Sequence, residues 1–87
     1  MDESITEMRT RIDAIDRELV RLLHERARCA IAIGAQKRRL GLAAHDPERE
    51  AAILARIETQ AEGPFPPLAL RQIFMAIVAA CRGLQER

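Results

Sequence analysis

Two cations, Arg26 and Lys37, interrupt an apolar stripe on the first predicted helix. On a helical wheel the stripe centres at about 85°, and the two residues fall at about 80° and about 100°. Burying an unpaired cation costs several kcal/mol, so each needs an anion. They lie 11 positions apart in the sequence, or roughly 16 Å along the helix axis. This spacing favours a small anionic ligand gripped by two long side chains.

The same two residues allow other interpretations. Lys37 lies near the end of the helix, where its side chain can snorkel to water. Arg26 lies in mid-helix, and a protein carboxylate can neutralise it, with Glu50 as the candidate. Two cations on one stripe nevertheless favour a ligand.

Four further residues can join such a site. Arg9 falls at about 180°, beside the stripe, and is a solvated charge unless it reaches a second chain. Glu50 lies within the apolar arc of the second helix, although the helix dipole also favours an acid in the first turn. Arg49 lies at the margin of that arc. Gln85 extends the apolar series of the third helix, either as a frayed end or as an amide in the same cavity.

The sequence contains no residue set for metal, nucleophilic or cofactor chemistry. His24 and His45 are far apart, no cysteine pair has ligand spacing, and Ser4 is the one serine. There is no glycine-rich phosphate loop. We therefore expect no metal and no cofactor, and a reaction that depends on shape and charge.

Length and composition limit the fold and the partners. The 87 residues are 48% hydrophobic and include two aromatics, which favours one domain, residues 1–87, built from packed helices. A net charge of +1 argues against a nucleic-acid partner. We see no secretory signal, and no apolar run approaches the roughly 20 residues of a membrane span. We expect a cytoplasmic protein that does not enter a membrane.

Periodicity predicts three helices. The first runs from about residue 5 to about residue 40. The second begins at Asp46-Pro47, a favoured N-cap followed by a favoured first residue, and ends near residue 59. The third runs from about residue 67 to residue 84. The stripe of the first helix consists of Ile5, Met8, Ile12, Ile15, Leu19, Leu22, Ala30 and Ile33.

The first helix is too long for a compact monomer. It would extend for roughly 50 Å, whereas a compact chain of this size has a radius of gyration near 12 Å. Half of its stripe would lack a partner. We therefore predict an all-α fold with three helices per chain, one long and two shorter, in an intertwined six-helix homodimer.

Several spaced blocks of the sequence resemble the all-helical class of chorismate mutases, the type II family. The blocks are residues 8–19 (MRTRIDAIDREL), 22–26 (LLHER), 33–37 (IGAQK), 46–50 (DPERE) and the third helix from 73 to 85. They cover nearly the whole chain. The resemblance implies an intertwined dimer of three-helix chains that converts chorismate to prephenate by a Claisen rearrangement, in phenylalanine and tyrosine biosynthesis.

The resemblance also implies the catalytic roles. Arg26, together with Arg9 from the partner chain, resembles the binders of the two substrate carboxylates. Lys37 and Gln85 resemble the donors to the ether oxygen of the substrate. These residues suit a unimolecular reaction in which negative charge grows on that oxygen.

Four more positions complete the implied substrate site. Glu50 resembles the carboxylate that holds the ring hydroxyl, beside the backbone at Asp46, and Arg49 resembles a supporting cation. The family often has serine where this chain has Cys81, and a thiol is a weaker donor. We expect Cys81 to affect affinity more than activity, and a buried core cysteine is the alternative interpretation.

Two other functions fit parts of the same pattern. An isochorismate pyruvate lyase shares this fold and most of these residues. A catalytically silent dimerisation or regulatory module would become more stable on Arg26→Ala and would otherwise be unchanged. Domains of this family are also often fused to, or bound by, another enzyme of aromatic biosynthesis.

Overall fold

A computed structural model describes the backbone of residues 2–87 and the side chains of residues 4–87, so residue 1 of the predicted domain lies outside it. The described chain consists of three helices: α1 (Asp2–Leu40), α2 (Pro47–Thr59) and α3 (Pro67–Gln85). The prediction of an all-α chain with one long helix and two shorter ones is confirmed. The observed helix α1 begins slightly earlier than predicted, and α3 continues one residue further.

A backbone motif ends α1 and fixes the turn that carries Lys37. Gly41 adopts a φ of +71°, a left-handed conformation that glycine enters without strain. The Gly41 N–H donates to the carbonyl of Arg38 at 3.2 Å, and the Leu42 N–H donates to the carbonyl of Lys37 at 2.8 Å. These two bonds form a Schellman motif, so the chain leaves α1 in a defined direction immediately after this turn.

The amino-terminal half of α1 projects away from the other two helices. The molecule measures 59 × 23 × 14 Å, and its radius of gyration is 16.5 Å, well above the value of about 12 Å for a compact chain of this length. The six stripe residues between positions 5 and 22 are 44–55% exposed. Half of the first helix therefore has no partner within its own chain, as predicted.

Ion pairs along the surface support this projecting half. The guanidinium of Arg21 bonds the carboxylates of Glu18 and Glu25, the latter at 2.9 Å, one turn away on either side. The hydrogen bond from Arg21 lowers the pKa of Glu18 below its ordinary value. The helix therefore favours the ionised carboxylate. This contribution is present above the ordinary pKa of Glu18 and is lost as the pH falls through the lowered one.

The core is small, and α3 lies at its centre. α3 packs against both α1 and α2, whereas α1 and α2 do not pack against each other along residues 2–87. The packed apolar residues between α2 and α3 are Ile53, Ile57, Leu70, Phe74 and Val78. Ala30 of α1 and Cys81 of α3 are also buried. This arrangement leaves a cleft between α1 and α2, with α3 as its third wall.

Helix α3 has the length and the apolar composition of a membrane-crossing helix, so the expectation that no apolar run approaches such a span is wrong. Its charged residues are paired with α2. Arg71 pairs with Glu58 at 3.1 Å, and Arg82 pairs with Glu50 at 3.0 Å. α3 contacts both other helices, but its apolar residues Leu68, Ile73 and Met75 remain 43–64% exposed.

Two helical glycines are expected to respond oppositely to an added methyl group. A Cβ at Gly34 would lie 2.7 Å from the carbonyl oxygen of Gln85, whereas a Cβ at Gly83 would meet nothing within 4 Å. We expect Gly34→Ala to lower the free energy of unfolding by about 1–3 kcal/mol through overpacking. Gly83→Ala should raise it by about 0.5–1 kcal/mol. Urea unfolding at one protein concentration measures both, and shifts of the same sign would contradict this prediction.

Candidate active site

Seven of the eight predicted site residues line the cleft between the three helices. The cleft has a volume of about 380 Å³, within the range of small-molecule sites. The predicted residues that line it are Arg26, Lys37, Asp46, Arg49, Glu50, Cys81 and Gln85. They come from all three helices, although they are spread over 60 positions of the sequence. The fold therefore brings together residues that the sequence analysis selected one helix at a time.

The two stripe cations of α1 both face this cleft. Arg26 and Lys37 are partly buried, and the apolar residues Ala30 and Ile33 line the wall between them. Regular helical spacing alone puts these four side chains on one side of α1. The helical wheel predicts both cations on the apolar face of α1, and in the structure this face lines the cleft.

Neither stripe cation has a carboxylate partner among the side chains of residues 4–87. The Nζ of Lys37 donates to the backbone carbonyl of Ala44 at 3.0 Å, which ties the connector between α1 and α2 to the end of α1. Glu50 pairs with Arg82, so the alternative in which Glu50 neutralises Arg26 is wrong. Both stripe cations are therefore available to an anionic ligand.

Arg82 lines the cleft and His45 lies beside Arg82 and Glu50, and neither residue was predicted from the sequence. The Nη1 of Arg82 donates to Oε1 of Glu50 at 3.0 Å and lies 3.2 Å from Nε2 of His45. The same His45 nitrogen lies 3.7 Å from the other oxygen of Glu50. A signal was present, because Arg82 lies four residues after the core residue Val78 and three before Gln85, on the same face of α3.

The start of α2 is fixed by the cap that the sequence predicts. Oδ1 of Asp46 accepts a hydrogen bond from the backbone N–H of Arg49 at 3.1 Å, and Pro47 is the first helical residue. The prediction of the N-cap is confirmed. Glu50 follows one turn later, so this cap sets the direction in which Glu50 leaves the backbone.

Arg9 does not lie at the cleft of its own chain. It is exposed on the projecting half of α1, 17 residues before Arg26, which corresponds to roughly 25 Å along the axis. Only a second chain can bring Arg9 to a cleft of this kind. Its role therefore stays a prediction that depends on the predicted dimer.

Two residues of α3 reach the cleft from its inner wall. Cys81 is buried and lines the cleft, so it is both a core residue and a neighbour of any bound ligand. Gln85 is partly buried and belongs to α3. It is the last residue of α3 and lines the cleft, the placement expected of the alternative in which its amide enters the same cavity.

The cleft carries a surplus of three positive charges. Its lining contains the cations Arg26, Lys37, Arg49, Arg56 and Arg82 and the carboxylates of Asp46 and Glu50. A narrow, positively lined cleft concentrates anions at its surface. The arrangement suits an anionic ligand.

Comparison with known proteins identifies the family. Residues 8–86 match the family described as chorismate mutase type II. The chain belongs to this family. The match covers α1 from residue 8 onward, all of α2 and α3, and every residue of the cleft lining, in agreement with the resemblance seen in the sequence.

Individual relatives and solved structures are similar to most of this chain. The solved structure of a chorismate mutase (form II) from Thermus thermophilus is 40% identical, with a TM-score of 0.93, and the alignment covers 95% of this chain and 94% of that one. A bifunctional chorismate mutase/prephenate dehydratase of Aquifex aeolicus is 40% identical over 98% of this chain. A chorismate mutase of Methanocaldococcus jannaschii is 40% identical over 66% of this chain and 58% of its own length.

The curated relatives are longer than this type II domain. The chain spans about a quarter of the length of the bifunctional relatives that it matches, 25% for Aquifex aeolicus and 23% for Neisseria gonorrhoeae. The alignment with the Thermus thermophilus structure, by contrast, covers 94% of that protein's chain.

Proposed function

We propose that this chain catalyses the rearrangement of chorismate to prephenate, a step of phenylalanine and tyrosine biosynthesis. The observation that supports the proposal is the convergence of Arg26, Lys37, Glu50 and Gln85 from three helices on one cleft. Arg26 and Lys37 lack a carboxylate partner among the described side chains, as expected of groups that receive an anionic substrate. A cytoplasmic location and an association with another enzyme of the pathway belong to the same proposal.

The reaction needs binding and electrostatics rather than a nucleophile. One C–O bond breaks and one C–C bond forms within a single molecule, so the cleft must hold the substrate folded with its reacting carbons close together. Arg26 binds a substrate carboxylate in the ground state and in the transition state alike. Lys37 and Gln85 donate to the ether oxygen, where negative charge grows as the C–O bond breaks, and so stabilise the transition state selectively.

The opposite side of the cleft orients the ring of the substrate. Glu50 accepts the hydrogen bond of the ring hydroxyl, beside the backbone of Asp46. Arg82 already holds one oxygen of Glu50 at 3.0 Å, which leaves the other oxygen for the hydroxyl. Arg49 supplies a supporting positive charge, and the Cys81 thiol makes a weak hydrogen bond to a carboxylate.

A second chain completes the site in this proposal. The exposed stripe of α1 packs against its counterpart in an intertwined homodimer, because an apolar face of this length needs cover. Arg9 then reaches the cleft of the partner and binds the second substrate carboxylate. The exposure of the stripe and the distance of Arg9 from its own cleft both support this arrangement.

Incubation of the purified protein with chorismate tests the activity directly. The ultraviolet absorbance of chorismate should fall faster than in buffer, and prephenate should accumulate. A parallel incubation with isochorismate, assayed for salicylate and pyruvate, tests the lyase reaction. Loss of chorismate at the uncatalysed rate would refute the proposal, and salicylate formation in its place would identify the lyase.

Mixing two inactive variants should restore activity if Arg9 acts across the interface. In a mixed dimer of Arg9→Ala and Lys37→Ala chains, one cleft has both defects and the other has neither. Random reassembly after unfolding and refolding makes about half of the dimers mixed, so we expect about a quarter of the wild-type kcat per chain. If Arg9 acts within its own chain or not at all, the mixture will be no more active than the average of the two variants.

A further inference from the structure

We infer that Gly34 and Arg38, two residues of α1 outside the cleft lining, hold the end of α3 and thereby position the side chain of Gln85 in the cleft. They are positioning residues, because both act on the backbone of α3. This inference rests on the proposed function, in which Gln85 donates to the ether oxygen of the substrate.

Gly34 sets how closely the end of α3 approaches α1. Gly34 is buried, and a Cβ at this position would lie 2.7 Å from the carbonyl oxygen and 2.9 Å from the Cα of Gln85. These are backbone atoms, which cannot rotate out of the way as the end of a side chain can. Any larger residue at position 34 must push the end of α3 outward, and Gln85 would move with it.

Arg38 lies one turn further along α1 and holds the same end of α3 by hydrogen bonds. Its Nη1 donates to the carbonyl of Gln85, the last residue of α3, at 3.2 Å, and to the backbone oxygen of Arg87, two residues beyond the helix, at 3.1 Å. The last carbonyls of a helix lack partners within the helix and carry partial negative charge. A guanidinium is therefore well suited to this position, and it links the end of α3 to the last turn of α1.

One turn of α1 thus carries a proposed catalytic donor and the residue that holds the other donor. Lys37 and Arg38 are adjacent in the sequence, and the Schellman motif at Gly41 fixes the turn in which both lie. The relative position of Lys37 and Gln85 therefore depends on Arg38. A displacement of about 1 Å at a catalytic group can lower a rate by about 100-fold, so holding the end of α3 has a direct kinetic consequence.

Kinetics of the full chain with chorismate test this role. We expect Arg38→Met to lower kcat by about tenfold with KM changed less than about twofold, since Gln85 acts mainly in the transition state. Arg39→Met is the matched control, because Arg39 is exposed in the same turn and makes no side-chain hydrogen bond to the described residues 4–87. It should leave kcat and KM unchanged. Arg38→Lys should regain part of kcat, because an ammonium can still donate to one carbonyl.

A double-mutant cycle separates positioning of Gln85 from general loss of stability. In a Gln85→Ala background, Arg38→Met should lower kcat by less than about twofold, because no amide remains to be positioned. A full tenfold loss in that background would overturn the inference, and so would a wild-type kcat for Arg38→Met. If Arg38→Met does not fold, Arg38→Lys takes its place in the cycle. A wild-type kcat for Gln85→Ala alone would instead refute the proposed role of Gln85.

Discussion

Replacing Lys37 with methionine is expected to lower kcat for chorismate by about 10²–10³-fold, by analogy with the loss of one oxyanion-hole donor. Methionine keeps an unbranched apolar stem of similar length, so the wall beside Ile33 stays filled. The ammonium, however, is lost, and with it the positive donor that the proposed mechanism places at the ether oxygen as the C–O bond breaks. KM should rise much less than kcat falls, because the donor acts mainly in the transition state.

The structural role of Lys37 requires a control. Its Nζ also donates to the carbonyl of Ala44, so the variant loses one bond that holds the connector. Such a bond contributes about 0.5–1.5 kcal/mol to folding, which urea unfolding will resolve. Arg39→Met removes the same charge from the same turn and should retain wild-type kcat. If both variants lose activity equally, long-range charge rather than a specific donor explains the effect.

The helices of this chain could be predicted because local residue types, such as capping residues, determine where a helix begins and ends. Asp46 and Pro47 mark the start of α2: the Asp46 side chain accepts the capping hydrogen bond, and Pro47 is the first helical residue. The amphipathic stripe identified α1, and its length implied that part of it would project. The composition of α3 was harder to interpret, because a helix that packs against two others in the structure is also long and apolar enough to cross a membrane.

The site could be predicted only in part, for a physical reason. A helical wheel gives the direction of a side chain about its own helix, so it placed Arg26 and Lys37 on the face that forms the cleft. It does not show which helices meet. The pairing of Glu50 with Arg82 was therefore not predicted, and Glu50 was instead considered as a partner for Arg26. The hydrogen bonds from Arg38 to backbone carbonyls were not predicted either, because every residue has a backbone carbonyl and the sequence therefore does not mark which one accepts a bond.

The proposed mechanism divides the work among the residues of the cleft. In it, Arg26 and Arg49 bind groups whose negative charge is the same before and during the reaction, so they contribute affinity. Lys37 and Gln85 bind charge that appears only as the ether bond breaks, so they contribute rate. Substitution of Arg26 should therefore act more on KM than substitution of Lys37, although both residues lie on the same stripe.

Gln85→Glu should convert a reaction that needs no titrating donor into one that requires acid. The amide of Gln85 is neutral at every working pH and can always donate. A glutamic acid donates only when protonated, and its ordinary pKa is about 4.3. Neighbouring cations of the cleft favour the ionised form and lower that pKa further. At neutral pH the variant should therefore lose about 10²–10³-fold in kcat.

The loss should shrink as the pH falls, which gives Gln85→Glu its diagnostic value. Above the pKa of the new carboxyl group, each unit of decreasing pH raises the protonated fraction about tenfold, so kcat should rise by about the same factor. Gln85→Ala should be equally slow at neutral pH and should show no such rise, which separates a missing donor from a titrating one. Profiles between pH 5 and 8, with the fold monitored by circular dichroism, make the comparison. A flat profile for Gln85→Glu would exclude Gln85 from the ether-oxygen role, because a carboxyl group that meets the developing charge cannot act identically with and without its proton.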